Sequence, residues 1–342
     1  MKRVLVLLLT LIMVLMSLTA CGSKENKEAS NNPSVTKPAD SNNPNPGKKF
    51  KIGIVQHVDH PSLNLIRETI ETELKAQGLG DKVEVVFQNA NGDLTMLPTI
   101  FQNMISDGID ILVPIATPTA QAALAATTTV PIVFSAVSDP VAAGLVTAFD
   151  QTTANITGVS NSIPIEDIFA LASELTPKAK TFGFVYNTSE VNSVSGITRA
   201  KKYCDENGIA YKEATITSTA DLQEATSSLI GKVDAFFTPN DNMVASAMPT
   251  YVQIASQAKL PIYVGADSMV NDGGLATVGI DYTILGKQTA DMIGRIVNGE
   301  TIDKNHVEQV SKYAKMINTK TAEQLSITIP DSLKDQFVIM GK

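Results

Sequence analysis

The side chains able to do chemistry in this chain stand in short polar runs that directly follow apolar ones. Gln56-His57 follows Ile52-Gly53-Ile54-Val55, Thr117-Pro118-Thr119 follows an apolar run ending at Ile115, and Ser135 to Asp139 follows Pro131-Ile132-Val133-Phe134. Asn187-Thr188-Ser189, Asn240-Asp241-Asn242, Asp267-Ser268 and Gly279-Ile280-Asp281-Tyr282 stand in the same relation to the apolar segments before them. Hydroxyls and backbone N–H groups near helix starts suit a carboxylate, and an acid beside amide carbonyls suits an ammonium. The set as a whole therefore fits a zwitterion. A single Ser, Thr, Asn or Asp after a strand also serves as an N-cap for the next helix, so the convergence of several such loops carries the inference.

Catalytic signatures are mostly missing. The chain has no GxxxxGK[ST] phosphate loop, no GxGxxG after a strand, no HExxH and no GxSxG. His57, His60 and His306 have no cysteine or acid at metal-ligand spacing beside them, and Cys204 reads as an inert thiol in a helix. Asp139, Asp241, Asp267 and Asp281 supply the carboxylates that glycoside hydrolysis needs, yet nothing favours that use over hydrogen bonding. The expectation is a binding protein, not an enzyme, with no metal and no cofactor.

Loops of this kind need a scaffold, and the apolar pattern supplies one. Phe50 to Val55 reads as a buried strand, Pro61 to Gln77 as a helix with Leu63, Ile66, Ile70 and Leu74 on one face, and Val83 to Gln88 as a strand. Helices over Leu94 to Ser106 and Thr117 to Ala126 alternate with strands over Asp110 to Ile115 and Pro131 to Phe134. Strands alternating with helices of this length mean a parallel sheet covered on both faces.

The series then recurs. Thr181 to Tyr186, Val191 to Asn207, Ile209 to Thr215, Ala220 to Ile230, Asp234 to Thr238 and Pro261 to Val264 repeat the first set in order. Two similar doubly wound α/β lobes follow. Ligands of open parallel sheets bind outside the carboxyl ends of the strands, which makes the cleft between lobes the expected site.

The 342 residues include 27 Lys plus Arg and 35 Asp plus Glu, a formal charge of −8. The length suits about two domains, and the acidic balance argues against nucleic acid as a partner. At the start, Lys2 and Arg3 precede an apolar run from Val4 to Leu18, too short to span a bilayer and of the length of a signal-peptide core. Leu18-Thr19-Ala20-Cys21 has lipobox spacing, so Cys21 is expected to carry a diacylglyceryl thioether and to anchor the chain. The Asn-, Ser- and Pro-rich stretch that follows reads as a tether. The expected organisation is a signal peptide over 1–20 and the lipidated cysteine with its tether over 21–49.

The motifs "IGIVQHVDHPSLN", "ATPTAQAAL", "SAVSDPVAAGLV", "FTPNDNMV" and "GGLATVGIDY" resemble those of ABC-transporter substrate-binding lipoproteins of the type I periplasmic-binding-protein fold, in the subgroup associated with tryptophan, tyrosine and phenylalanine. The resemblance runs from about Lys49 to Lys342 and implies a hinge of three crossings. Lobe 1 would then comprise 50–158 plus 283–309, and lobe 2 would comprise 159–282 plus 310–342. It implies a monomer on the outer face of the cell membrane that closes on an amino acid and hands it to an ABC permease and its ATPase. Carried onto this sequence, Thr117, Thr119, Ser135, Ser138 and Asp139 belong to first-lobe binding loops, and Asn161, Tyr186, Asn187, Asn240, Asp241, Asp267 and Asp281 complete the site. Asp267 or Asp241 is the expected ammonium partner, Thr117 with Ser135 the expected carboxylate partner, and Gln56 with His57 would read a polar tip on the ligand. A surface lipoprotein acting as an adhesin or ligand sensor, or a binder of another small polar solute, would share the same fold and anchor.

Overall fold

Buried runs such as Ile52-Gly53-Ile54-Val55 and Phe182-Gly183-Phe184-Val185 become central strands of two sheets. A computed structural model describes residues 49–150 and 155–341. The expected signal peptide, the lipidation of Cys21 and the tether up to residue 48 lie outside the described residues.

The first repeat forms β1 (Phe50–Gln56), α1 (Pro61–Ala76), β2 (Val83–Asn89), α2 (Leu97–Ser106), β3 (Ile111–Ile115), α3 (Thr117–Ala126), β4 (Ile132–Val137) and β5 (Ile156–Ser160). The second forms α4 (Ile165–Leu175), β6 (Thr181–Asn187), α5 (Val191–Asn207), β7 (Ala210–Ile216), α6 (Leu222–Leu229), β8 (Ala235–Thr238), α7 (Asn242–Ser246), α8 (Met248–Gln257), β9 (Ile262–Val264), α9 (Asp267–Asn271) and β10 (Ala276–Gly279). The chain ends through α10 (Tyr282–Val297), β11 (Glu308–Gln309), β12 (Ala314–Asn318), α11 (Thr319–Gln324), α12 (Asp331–Lys334) and β13 (Phe337–Met340).

Among the described residues the strands make a sheet in the order β11-β5-β4-β3-β1-β2 and another in the order β13-β12-β10-β9-β8-β6-β7. Their pairs are parallel except β10 with β12. The expected two-sheet α/β architecture is therefore the one observed. Helix α10 follows the second sheet in sequence but packs on α1, β4 and β5 of the first, with Leu285, Ala290 and Ile293 buried. Gly286 permits that approach, because a Cβ there would stand 2.7 Å from the Thr69 Cβ. Strand β11 returns to the first sheet and β12 to the second, so the chain passes between sheets around 161–164, 280–281 and 310–313.

The repeat is visible in detail. Gly53 and Gly183 occupy matching places on β1 and β6, where a Cβ would press on Met104 and Phe236 respectively. Asp110 accepts the Lys51 N–H at 2.8 Å, and Asp234 accepts those of Lys180 and Thr181 at 2.8 and 2.9 Å, so one acid fastens the first strand of each lobe.

Two expected helices start later than their apolar pattern suggested. Residues 94–96 and 219–221 form 3₁₀ turns, set by the Asp93 side chain accepting Thr95 N–H and by a capping box between Ser218 and Asp221. Strand β4 runs three residues beyond Phe134. Its register against β5 shifts between Ser135 and Val137, and Ala136 takes a φ of 59° there. Ala116, just after β3, has a φ of 83°. Such backbone is strained for a residue with a Cβ, and both positions lie at the carboxyl ends of first-lobe strands, where bulges re-aim the following side chains.

Strands β4 and β5 approach so closely at Gly158 that an added Cβ would lie 2.2 Å from the Phe134 carbonyl oxygen. Gly158→Ala should lower stability by about 1–3 kcal/mol, the usual range for overpacking a core. An unchanged urea midpoint would show that the two strands can separate at no cost.

Candidate functional site

The carboxyl ends of the two sheets face each other, and polar side chains bridge them. Ser62 on α1 donates to Ser268 Oγ at 2.6 Å and to Asp267 Oδ1 at 3.4 Å. Ser195 on α5 donates to Asp139 Oδ2 at 2.7 Å. Asn240 donates to the Asn161 carbonyl at 3.1 Å and reaches Ser138 Oγ at 3.5 Å, and His60 Nε2 lies 3.4 Å from Asn242 Oδ1.

Behind these contacts sits Glu190, fully buried at the N-cap position of α5. Its carboxylate accepts from Asn192 Nδ2 at 2.9 Å, from the Asn242 side chain, and from the Asn242 and Met243 N–H groups at 3.3 and 3.1 Å. His57 Nε2, from the other lobe, is 3.8 Å away. Burial alone would raise the Glu190 pKa, but the nearby His57 ring together with the hydrogen bonds from Asn192 and Asn242 holds it below the usual value.

The surrounding groups titrate differently. Burial pushes Asp241 up to about 7, aided by the charge of Glu190 and opposed by the N–H groups of Asn187 and Val244. Burial also raises Asp267 to about 6. His60 falls to about 4 because its ring is taken out of water, despite its bond to Asn242. Burial raises Tyr282 as well, and its hydroxyl accepts from Asn161 Nδ2 at 3.3 Å.

Two adjoining cavities lie between the lobes. The larger, about 260 Å³, has apolar walls from Phe149, Ile163, Ile165 and Pro239 and polar ones including Asp139, Ser195, Arg199 and Gln309. The smaller, about 20 Å³ and wide enough for about one water, is bounded by His60, Leu63, Asn161, Asp241, Met269 and Tyr282 among others. Ser138, Asn192 and Asn240 line both. Buried polar atoms without a partner include His60 Nδ1, Asn192 Oδ1 and Asn240 Oδ1, in residues that line these cavities, and Gln56 Oε1, Thr117 Oγ1 and both ring nitrogens of His57 elsewhere in the chain.

Of the residues expected from sequence, Ser138, Asp139, Asn161, Asn240 and Asp241 line these cavities. Gln56, His57 and Thr117 are buried, and Gln56 Nε2 is engaged by the Val58 carbonyl and by Asn64. The others have different occupations. Thr119 donates back to the Ile115 and Ala116 carbonyls, and Ser135 shares a hydrogen bond with Thr289 at 2.8 Å, so Ser135 faces α10 and not the cleft. Tyr186 donates to Glu213 on β7. Asn187 closes a turn by accepting the Ser189 N–H, and exposed Asp281 caps α10 through Thr283 N–H. Asp241 accepts from Asn187 N–H and Val244 N–H, one on each oxygen, while Asp267 accepts from Ser268 N–H and Ser62. Asp241 therefore has both carboxylate oxygens engaged, whereas both contacts to Asp267 fall on its Oδ1.

Glu190 and Asn192 escaped the sequence reading, which stopped at Ser189. A usable signal was present: Glu190 and His60 occupy matching N-cap positions in the two repeats, 130 residues apart.

A family model described as "ABC transporter substrate binding protein" matches residues 51–337. The tyrosine-binding protein of Clostridioides difficile strain R20291 is 34% identical over 328 residues, covering 95% of this chain and 93% of that protein. A Streptococcus pneumonia ABC domain solved in complex with L-Trp has a TM-score of 0.83 at 36% identity, covering 86% of this chain and all of that one. The ligand-free, open structure of CD0873 from Clostridium difficile, a substrate binding protein with adhesive properties, has a TM-score of 0.65 at 36% identity, covering 85% and 99%.

Two of these pKa shifts oppose each other in one pH window. An imidazole that is protonated near 6.5 when unfolded and near 4 when folded costs stability as pH falls through that interval. A carboxyl that ionises near 3.8 unfolded and near 6 folded costs stability as pH rises through it. His60→Gln should therefore gain on the wild type by about 2 kcal/mol between pH 7 and 4.5, and Asp267→Asn should gain a similar amount between pH 4 and 6.5. Urea midpoints at both ends of the window check this, and variant profiles parallel to the wild type would contradict it.

Proposed function

Because the chain belongs to the ABC transporter substrate-binding protein family, we propose that it captures an aromatic amino acid between its lobes by hinge closure and delivers it to a membrane permease. The observation that carries the reading is the interlobe site, where Ser138, Asp139, Asn192, Ser195 and Asn240 line a cavity walled on its apolar side by Phe149, Ile163, Ile165 and Pro239. Polar atoms suit the charged ends of an amino acid, and the apolar walls suit its side chain.

The relatives favour the same ligand class: one is named for tyrosine and another was solved with L-Trp. At equal identity, the present lobe arrangement resembles the L-Trp complex much more than the open, ligand-free CD0873, which supports reading it as the closed form. In this reading Ser195 with Asp139, and Ser62 with Asp267 and Ser268, hold the lobes together at the margins. Thr117, a buried hydroxyl without a partner at the first position of α3, is the remaining carboxylate candidate now that Ser135 is engaged elsewhere.

The lipobox at Cys21 supports an exported protein held on the outer face of the cell membrane. The adhesive properties of CD0873 favour a second reading, in which the same anchored fold also attaches to surfaces. Loss of amino-acid uptake on deleting the gene separates transport from that role.

Thermal unfolding with L-Trp, L-Tyr and L-Phe tests the ligand class. A ligand at about 100 times its Kd adds about 2.7 kcal/mol, several degrees for a protein of this size. A shift with one or more of the three is expected. A shift with sugars or nucleosides and none with these amino acids would overturn the reading.

A further inference from the structure

The first passage of the chain between the lobes is held from both sides. Its residues 161–164 follow β5 of the first sheet and precede α4 of the second lobe. Asn161 donates through Nδ2 to the Tyr282 hydroxyl at 3.3 Å, and the next residue, Ser162, accepts through its carbonyl from the Tyr313 hydroxyl at 3.1 Å. Tyr282 opens α10, the helix that packs on α1, β4 and β5, so it moves with the first lobe. Tyr313 ends the third passage and directly precedes β12 of the second sheet. Its ring packs against the second-lobe apolar cluster that holds Phe182 and Tyr263.

Neighbouring residues of one passage are therefore fixed to opposite lobes. The lobes cannot turn about this point without disturbing one of the two bonds, because hydrogen bonds weaken steeply as their angles change. A third contact strengthens the arrangement. Gln309, at the end of β11 in the first sheet, donates through Nε2 to the Tyr313 hydroxyl at 3.1 Å. A carbonyl only accepts, so the Tyr313 proton points at Ser162 while its lone pairs receive Gln309. A hydroxyl that accepts one bond donates the next more strongly. Ser162 and Gln309 line the larger cavity, Asn161 and Tyr282 line the smaller one, and Tyr313 stands outside both linings.

We propose that the hydroxyls of Tyr282 and Tyr313 form a clamp on Asn161 and Ser162 that favours the lobe arrangement seen here, so that affinity is set in part by a side chain that touches no ligand. The inference rests on the reading of the protein as a hinge-closing binder and names the groups in the hinge that bias closure. Tyr313 is then a positioning residue, acting on the ligand only through the balance of open and closed forms.

Tyr313→Phe removes the hydroxyl and keeps the ring. Isothermal titration of this variant with L-Trp, L-Tyr and L-Phe should show affinities about 3- to 10-fold below the wild type, the worth of about one hydrogen bond. Ratios among the three ligands should stay the same, because a shift in the open–closed balance scales every affinity by one factor. Spin labels on cysteines placed at the exposed positions 141 and 194 give a second reading. Without ligand, the long-distance fraction should be larger than in the wild type in both Tyr313→Phe and Tyr282→Phe. Affinities within about 2-fold of the wild type in Tyr313→Phe would overturn the proposal, as would a distance distribution unchanged in both variants. Ratios among the ligands that change by more than about 3-fold would make Tyr313 a ligand contact and overturn it as well. Failure of the wild type to bind any of the three would instead overturn the underlying reading of the ligand class.

Discussion

A polar group removed from water must find a partner, and here the loops at the carboxyl ends of two sheets are placed so that many partners come from the opposite lobe. Each buried atom left unpaired costs about 1–3 kcal/mol. The margins of the cleft avoid that cost through lobe-to-lobe hydrogen bonds, Ser195 to Asp139 on one side and Ser62 to Ser268 on another. The centre does not, since His60, Asn192 and Asn240, which line the cavities, all keep atoms without partners. Closure is therefore favoured at the rim and penalised in the middle. A solute that supplies the missing donors and acceptors shifts that balance toward the closed form by the difference in its interactions with the two states.

The scaffold follows from the same requirement. Parallel strands deliver loops to one end of a sheet, and a duplicated lobe supplies a second set to meet them. The matched N-cap positions of His60 and Glu190 show the duplication at work: both reach Asn242, one from each lobe. Duplication need not preserve chemistry. One copy became a histidine kept neutral by burial, and the other a carboxylate kept charged by its partners.

The lobes were legible in the sequence because a parallel sheet covered on both faces requires nearly continuous apolar strands, and the offset between repeats made two of them visible. The loops were legible as polar interruptions. What individual side chains do within them was not. Ser135 and Ser138 lie three residues apart on one run, but the shift in register at Ala136 leaves the first against Thr289 and the second in the cleft. Asp241 and Asp281 read as binding acids and also cap helices, a second role fixed by backbone N–H groups that composition cannot reveal. Glu190 was overlooked because an acid ahead of a helix ordinarily faces solvent; only the asparagines and histidine that surround it explain its burial.

The central claim is that ligand holds the two lobes together. Val141 and Val194 are exposed, on first-lobe and second-lobe elements that the Asp139–Ser195 hydrogen bond joins, and so suit labels that report the separation. Spin labels at cysteines introduced there, with the distance distribution recorded by electron-spin resonance before and after adding aromatic amino acid, give the most direct measurement. Collapse of a broad or long-distance population into one short distance on adding ligand is the predicted result. A distribution that stays the same when the ligand is demonstrably bound would contradict the account.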